Sequence, residues 1–158
     1  MAVLAERLSY QFIDNEDLYF PKTDKKYMFS NPRSKEEVIQ ILEEKISKDD
    51  KFIFAAVKGN YGEKLLTKID YAILVEAPKE VRRERVKMRS AQKFGDRILD
   101  NGDLVEKENA WFSLVSSRPE NFATEWLEEI KCPIIRIDGT LPVEENVDFL
   151  LSVLKLWG

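Results

Sequence analysis

Asp70-Tyr71-Ala72-Ile73-Leu74-Val75-Glu76-Ala77-Pro78 is the stretch whose reading decides the fold. Its apolar centre is nearly continuous, without the in-out alternation of a strand wetted on one face. Such a run marks a strand covered on both faces, as in a parallel sheet. Residues 79–93, just past Pro78, have a helical pattern. Working outward, three more short β-rich segments occur at 10–14, 52–57 and 133–137. Helical patterns lie between and after them. Ser34-Lys35-Glu36-Glu37 is a capping box, followed by one apolar stripe of Val38, Ile39, Ile41, Leu42 and Ile46. Further helices are expected over 103–117, 121–130 and 142–156. Strands alternating with helices predict an α/β domain whose parallel strands are joined by crossovers.

Composition narrows the class. The 158 residues suit one domain, and 44% hydrophobic with 34% charged residues gives material for a core. No apolar run approaches membrane-spanning length, and Met1-Ala2-Val3-Leu4-Ala5-Glu6-Arg7 lacks a signal-peptide design. A single cysteine, Cys132, precludes an internal disulfide framework and suits a cytoplasmic location. Cys132 itself reads as a small buried hydrophobe. Histidine is absent, which excludes histidine bases and argues against zinc. A net charge of −4 matches nucleic acid poorly. Yet between Arg82 and Arg97 seven basic residues stand against two acidic ones, which points to a small anionic ligand.

In such sheets ligands sit beyond the carboxyl ends of the strands. Asp14 and Asp17 lie there, where a carboxylate orients a hydroxyl, takes its proton or holds Mg²⁺; capping of a following helix by Asp14 or Asn15 is an equally good reading. Arg82, Arg85, Arg89 and Lys93 share one helix face, and Arg97 follows a turn at Gly95. Arginines so placed can neutralise a transferring phosphoryl group. The competing reading is a solvated face paired with Glu80 and Glu84. Arg33 is either a bidentate anion ligand or a surface arginine. Lys58-Gly59 permits close backbone approach, or simply a tight turn. Trp111, Phe112, Phe122 and Trp126 read most simply as packing residues.

Four passages together resemble the P-loop small-molecule and nucleotide kinases, such as shikimate kinase, gluconate kinase and the nucleoside monophosphate kinases. Leu4-Ala5-Glu6-Arg7-Leu8-Ser9-Tyr10-Gln11-Phe12-Ile13-Asp14 is similar to their first-helix-to-second-strand passage. Asp70 to Pro78, with Val81, Arg85 and Arg89, is similar to their fourth strand and lid helix. Arg136-Ile137-Asp138-Gly139-Thr140 with Pro142 is similar to the fifth strand and the loop bordering adenine. Taken whole, the chain looks most like bacterial ATPase-like members of the group. The resemblance implies a three-layer α/β domain over 1–158 with 82–120 as a lid, using ATP and Mg²⁺. It implies that Asp14 lies near the metal and that Asp17 or Glu16 meets the substrate hydroxyl. Arg33, with Lys58, Gly59 and Arg118, would contact a small-molecule substrate. Arg85, Arg89, Gly139, Thr140 and Pro142 would contact nucleotide, and Arg97 the transferring phosphate. Glu16 stands where an aspartate is usual.

One part of that pattern is missing. The group needs a strand running into G-x-x-x-x-G-K-[ST], whose backbone N–H groups and lysine cradle phosphate. The glycines at 59, 62, 95, 102, 139 and 158 form no such motif. By resemblance it would end just before Met1, which implies about 14 further upstream residues, a strand plus the loop. The absent strand is the central one, so two ladder edges should be left open. The functional expectation is phosphoryl transfer from ATP to a small metabolite, impaired in this chain. The alternative is a non-catalytic nucleotide-fold protein binding a ligand or partner.

Overall fold

The computed structural model describes residues 1–154. Its elements run α1 (Ala2–Leu8), β1 (Gln11–Asp14), α2 (Asn15–Tyr19), α3 (Lys35–Lys48), β2 (Phe52–Ala55), α4 (Glu63–Leu66), β3 (Ala72–Glu76), α5 (Lys79–Phe94), α6 (Val105–Ser117), β4 (Ile134–Asp138) and α7 (Val143–Leu154). Short 3₁₀ segments occupy Gly95–Ile98 and Glu125–Glu129. Residues 155 and 156 of the expected last helix lie outside the described residues. The chain forms two compact units, Met1–Val75 with the segment from Trp126 onward, and Glu76–Glu125.

In the first unit β1 and β2 pair in parallel, with Gln11 opposite Phe52 and Asp14 opposite Ala55. β3 pairs with β4 in a second two-stranded sheet, and the Ala72 amide donates to the Pro133 carbonyl at 3.0 Å. Among the described residues these two pairs are separate sheets. The fold is therefore mixed α/β with short strand pairs.

Strand period sorts the side chains of β2. Phe52 and Phe54 pack with Ile13, Leu18, Val38, Leu42 and Ile46, a core that α2 and α3 close over the first strand pair. Ile53 turns to the other face and joins Leu4, Ile137, Val147, Leu150 and Leu154, a core shared by α1, β4 and α7. Ile73 of β3 packs against that same core. Across its surface Arg7 bonds Glu144 at 2.6 Å and approaches Asp148 at 3.5 Å, joining α1 to α7.

α3 begins as its capping box requires. The Ser34 hydroxyl accepts from the Glu37 amide at 3.2 Å, and the Glu37 carboxylate accepts from the Ser34 amide at 2.8 Å. The helix expected over 121–130 does not form as a whole. The amides of Phe122 and Thr124 donate three residues back, to Pro119 and Asn121, and the Thr124 hydroxyl also donates to the Asn121 carbonyl. Such local bonds compete with a regular α ladder, leaving turns and a 3₁₀ segment.

The second unit is an antiparallel helical hairpin. Ser90 of α5 donates to the Glu108 carboxylate of α6 at 2.7 Å. Glu108 is 2% exposed, so this bond answers part of the cost of burying a carboxylate. The connecting turn is closed by bonds from the Gly102 amide to the Leu99 carbonyl and from the Leu104 amide to the Arg97 carbonyl.

Candidate functional site

The acidic end of β1 is built locally. Asp14 is the N-cap of α2, and its Oδ1 accepts from the Glu16 amide at 2.9 Å. This is the capping role the sequence offered beside a metal role. Asp17 and Glu16, in the first turn of α2, both face Lys22, at 2.6 and 3.6 Å. The bond that Lys22 donates to Asp17 raises the Lys22 pKa against a smaller opposing effect of burial. Among the described residues no group of three or more Asp, Glu or Cys side chains converges to hold a metal. Mg²⁺ bound by one or two carboxylates takes its remaining ligands from water and phosphate. Asp14 belongs to no such group among the described residues, and its Oδ1 serves the cap.

Arg33 lies against the same helix. Its Nη1 donates to the Leu18 carbonyl at 2.8 Å and reaches the Asp17 carbonyl at 3.4 Å, while its amide donates to the Tyr19 carbonyl. Cationic donors satisfy the last carbonyls of a helix, so part of the guanidinium fork is committed to holding α2.

The loop after β2 meets the start of α2. The Tyr61 hydroxyl donates to Asn15 Oδ1 at 2.8 Å. Burial, with Tyr19 alongside, pushes the Tyr61 phenol well above its ordinary range, so it stays a neutral donor. Sequence reading offered Asn15 only as an alternative helix cap, gave Tyr61 no role beyond its place after a strand, and passed over Lys22. The signal for Asn15 was its place directly after a strand, and Tyr61 has no local pattern that marks it. Lys58 and Gly59 leave β2 in the same loop. Gly59 is buried against the Trp126 indole, where a Cβ would stand 2.5 Å from the ring. Only glycine allows that approach. Trp126 Nε1 is buried there without an acceptor among the described residues.

After β4, Asp138 organises the turn. Its Oδ1 accepts from the amide and hydroxyl of Thr140 at 2.8 and 2.6 Å, and its carbonyl accepts from Asn146 Nδ2. Gly139 is buried in this turn, while Thr140 and Pro142 are exposed. Cys132, just before β4, is partly buried, and burial pushes its thiol upward.

In the second unit the basic residues are distributed among several partners. Arg82 bonds Glu120 at 2.8 Å. Arg89 Nε lies 3.4 Å from the Arg85 carbonyl, and both side chains are exposed. Arg97 grips Asp103 with two bonds of 3.0 and 2.8 Å, holding that carboxyl below its usual range. Two of the three guanidinium nitrogens of Arg97 are thereby engaged. Arg118 is clasped between Trp111 and Phe122, at 5.3 and 4.5 Å from the ring centroids, a cation–π arrangement. Burial lowers its pKa.

The structure thus gathers Asp14, Glu16, Asp17 and Arg33 around one short helix. It places Lys58 and Gly59 in the loop bonded beside that helix, and Arg85, Arg89, Arg97 and Arg118 in the other unit. Comparison with known proteins finds similarity to an uncharacterized protein, YqaC, of Bacillus subtilis (strain 168), 26% identical over 162 residues that cover 98% of this chain and 88% of the relative. No family model matches the chain. No solved structure matches it.

Proposed function

We propose that this fold serves ATP-dependent phosphoryl transfer to a small metabolite once a strand and phosphate-binding loop complete its sheet. The observation that carries the reading is the break between the strand pairs. β1–β2 and β3–β4 stand as separate two-stranded sheets, where the resemblance to P-loop kinases calls for one central strand between two neighbours. Supporting it are the acids at the end of β1, Arg33 beside them, and the Asp138-Gly139-Thr140 turn after β4. In this reading Asp14 assists Mg²⁺, Asp17 receives the acceptor hydroxyl's proton, and Arg33 orients the substrate. ATP and Mg²⁺ supply the phosphoryl group and neutralise its charge. Arg97, freed from Asp103, stabilises the transferring phosphate.

The test uses calorimetry on two proteins. The 158-residue chain should bind MgATP more weakly than about 1 mM, because the N–H cradle and its lysine supply most phosphate contacts. A chain extended before Met1 by six apolar residues and a G-x-x-x-x-G-K-S loop should gain at least tenfold. No gain, with the extended chain folded, refutes the reading. A non-catalytic binding role is favoured by one observation: Arg97 and Asp17 are already engaged by Asp103 and Lys22.

A further inference from the structure

The hairpin carries a second cluster of cations that the kinase reading does not use. Arg83, Val86 and Lys87 of α5 face Phe112, Val115 and Ser116 of α6 across a shallow cleft. Rising numbers on one helix meet falling numbers on the other, in the register set by the Ser90–Glu108 bond. Arg83 and Lys87 are exposed and one helical turn apart, hence on one face. Like charges at this spacing destabilise a helix unless something answers them. Neighbouring Arg82 is answered by Glu120. Arg83 and Lys87 have no ion-pair partner among the described residues, although Glu80 and Glu84 are within reach in sequence. The Ser116 hydroxyl on the facing wall likewise has no hydrogen-bond partner there. Between the polar groups lies an apolar floor of Val86, Phe112 and Val115, each half-buried.

We propose that this cleft binds a phosphate monoester dianion, its phosphate held by Arg83, Lys87 and Ser116 and its apolar body seated on Phe112 and Val115. A guanidinium offers a fork that matches phosphate oxygens, an ammonium adds a point charge, and a hydroxyl completes the set. Two cations fit a dianion better than a monoanion. The apolar floor distinguishes an ester from free phosphate, since contact area there is gained only by the organic part. This site is separate from Asp14, Arg33 and Arg97, and stands whether or not the chain transfers phosphate.

Nuclear magnetic resonance titration of the whole chain tests it, with phenyl phosphate, inorganic phosphate and sodium chloride at matched ionic strength. Phenyl phosphate is expected to shift the amides of 112–116 and the Arg83 side chain saturably, and at least several-fold more tightly than inorganic phosphate. Arg83→Gln and Lys87→Gln should each weaken it about tenfold, the loss of one charge-assisted contact. Lys48→Gln, removing an exposed charge from the other unit, should leave it unchanged. Binding should fall as pH drops below about 6, where the dianion takes up a proton. Shifts no larger than those from chloride, or identical titrations in the folded Arg83→Gln, Lys87→Gln double variant, overturn the site. Inorganic phosphate binding as tightly as phenyl phosphate overturns the ester.

Discussion

Gly102→Ala tests how the hairpin turn is held. A Cβ on residue 102 would lie 2.1 Å from the Arg97 carbonyl oxygen, 2.4 Å from its carbon and 2.9 Å from the Asp96 oxygen. All three are backbone atoms, so no rotamer relieves the clash. The turn must open, and two bonds go with it: Gly102 amide to Leu99 carbonyl at 2.7 Å and Leu104 amide to Arg97 carbonyl at 2.9 Å. Each is worth about 1 kcal/mol net, and residual overpacking adds about 1–3 kcal/mol. Lower entropy of the unfolded alanine chain returns about 0.4–1 kcal/mol. The expected net cost is about 2–4 kcal/mol. Native-state hydrogen exchange on the amides of α6 reads this unit without requiring global unfolding. Protection there should fall about 30- to 1,000-fold, while α3 amides hold steady. A change under about 0.5 kcal/mol in α6 would refute the assigned turn geometry.

Other outcomes follow from single contacts. Arg97→Ala should raise the Asp103 pKa toward the ordinary carboxylate range, read by carbon-13 titration of its carboxyl. Because Arg97 depresses that pKa, any stabilisation from the pair is present above the ordinary value and lost as pH falls through the depressed one; the variant should lose that dependence. An unmoved Asp103 titration contradicts the bidentate pair. Leu4→Ala, at a fully buried site joining α1 to α7, should cost about 2–5 kcal/mol in urea denaturation. Ser34→Ala removes the N-cap of α3 and should cost about 1 kcal/mol by the same method. In the chain extended by a phosphate-binding loop, Arg97→Ala should lower turnover by orders of magnitude with little loss of stability. Equal turnover would confine Arg97 to its Asp103 pair.

Regular elements were legible wherever the signal was local. The capping box at Ser34 and the stripe Val38, Leu42, Ile46 placed α3, since both depend on spacing within one helix. The four strands fell within a residue or two of their expected bounds, because apolar runs ended by Pro78, Asp14 or Asp138 announce themselves. What sequence did not show was which bland or functional role each polar residue takes. Asp14 sits at a strand end under either role, and only the bond from the Glu16 amide reveals the cap. Arg33 looked available for an anion, yet the Leu18 carbonyl fifteen residues upstream takes part of its fork. Arg97 found Asp103 through a turn whose closeness no periodicity records. The short α2 and α4 escaped notice because neither is long enough to display a helical period.

The strands contain a mismatch that bears on the kinase reading. Runs as apolar as Phe52-Ile53-Phe54-Ala55 and Ala72-Ile73-Leu74-Val75 suit strands buried on both faces and paired on both edges. Every residue of β2 is only half-buried, Val75 is 47% exposed and Ile134 is 39% exposed. Open edges in contact with water keep their backbone groups solvated, so they escape the cost of about 1–3 kcal/mol for each group buried unsatisfied. That relief explains how two separate strand pairs can persist around the α1–α7 core. It leaves apolar surface uncovered on β2, β3 and β4, and an added strand would cover it while pairing two ladders at once. These strands are therefore more apolar than the burial they achieve in the two separate pairs. A protein with no further strand to accommodate would be expected to blunt such edges with lysine or proline. β2 and β3 carry neither within their spans.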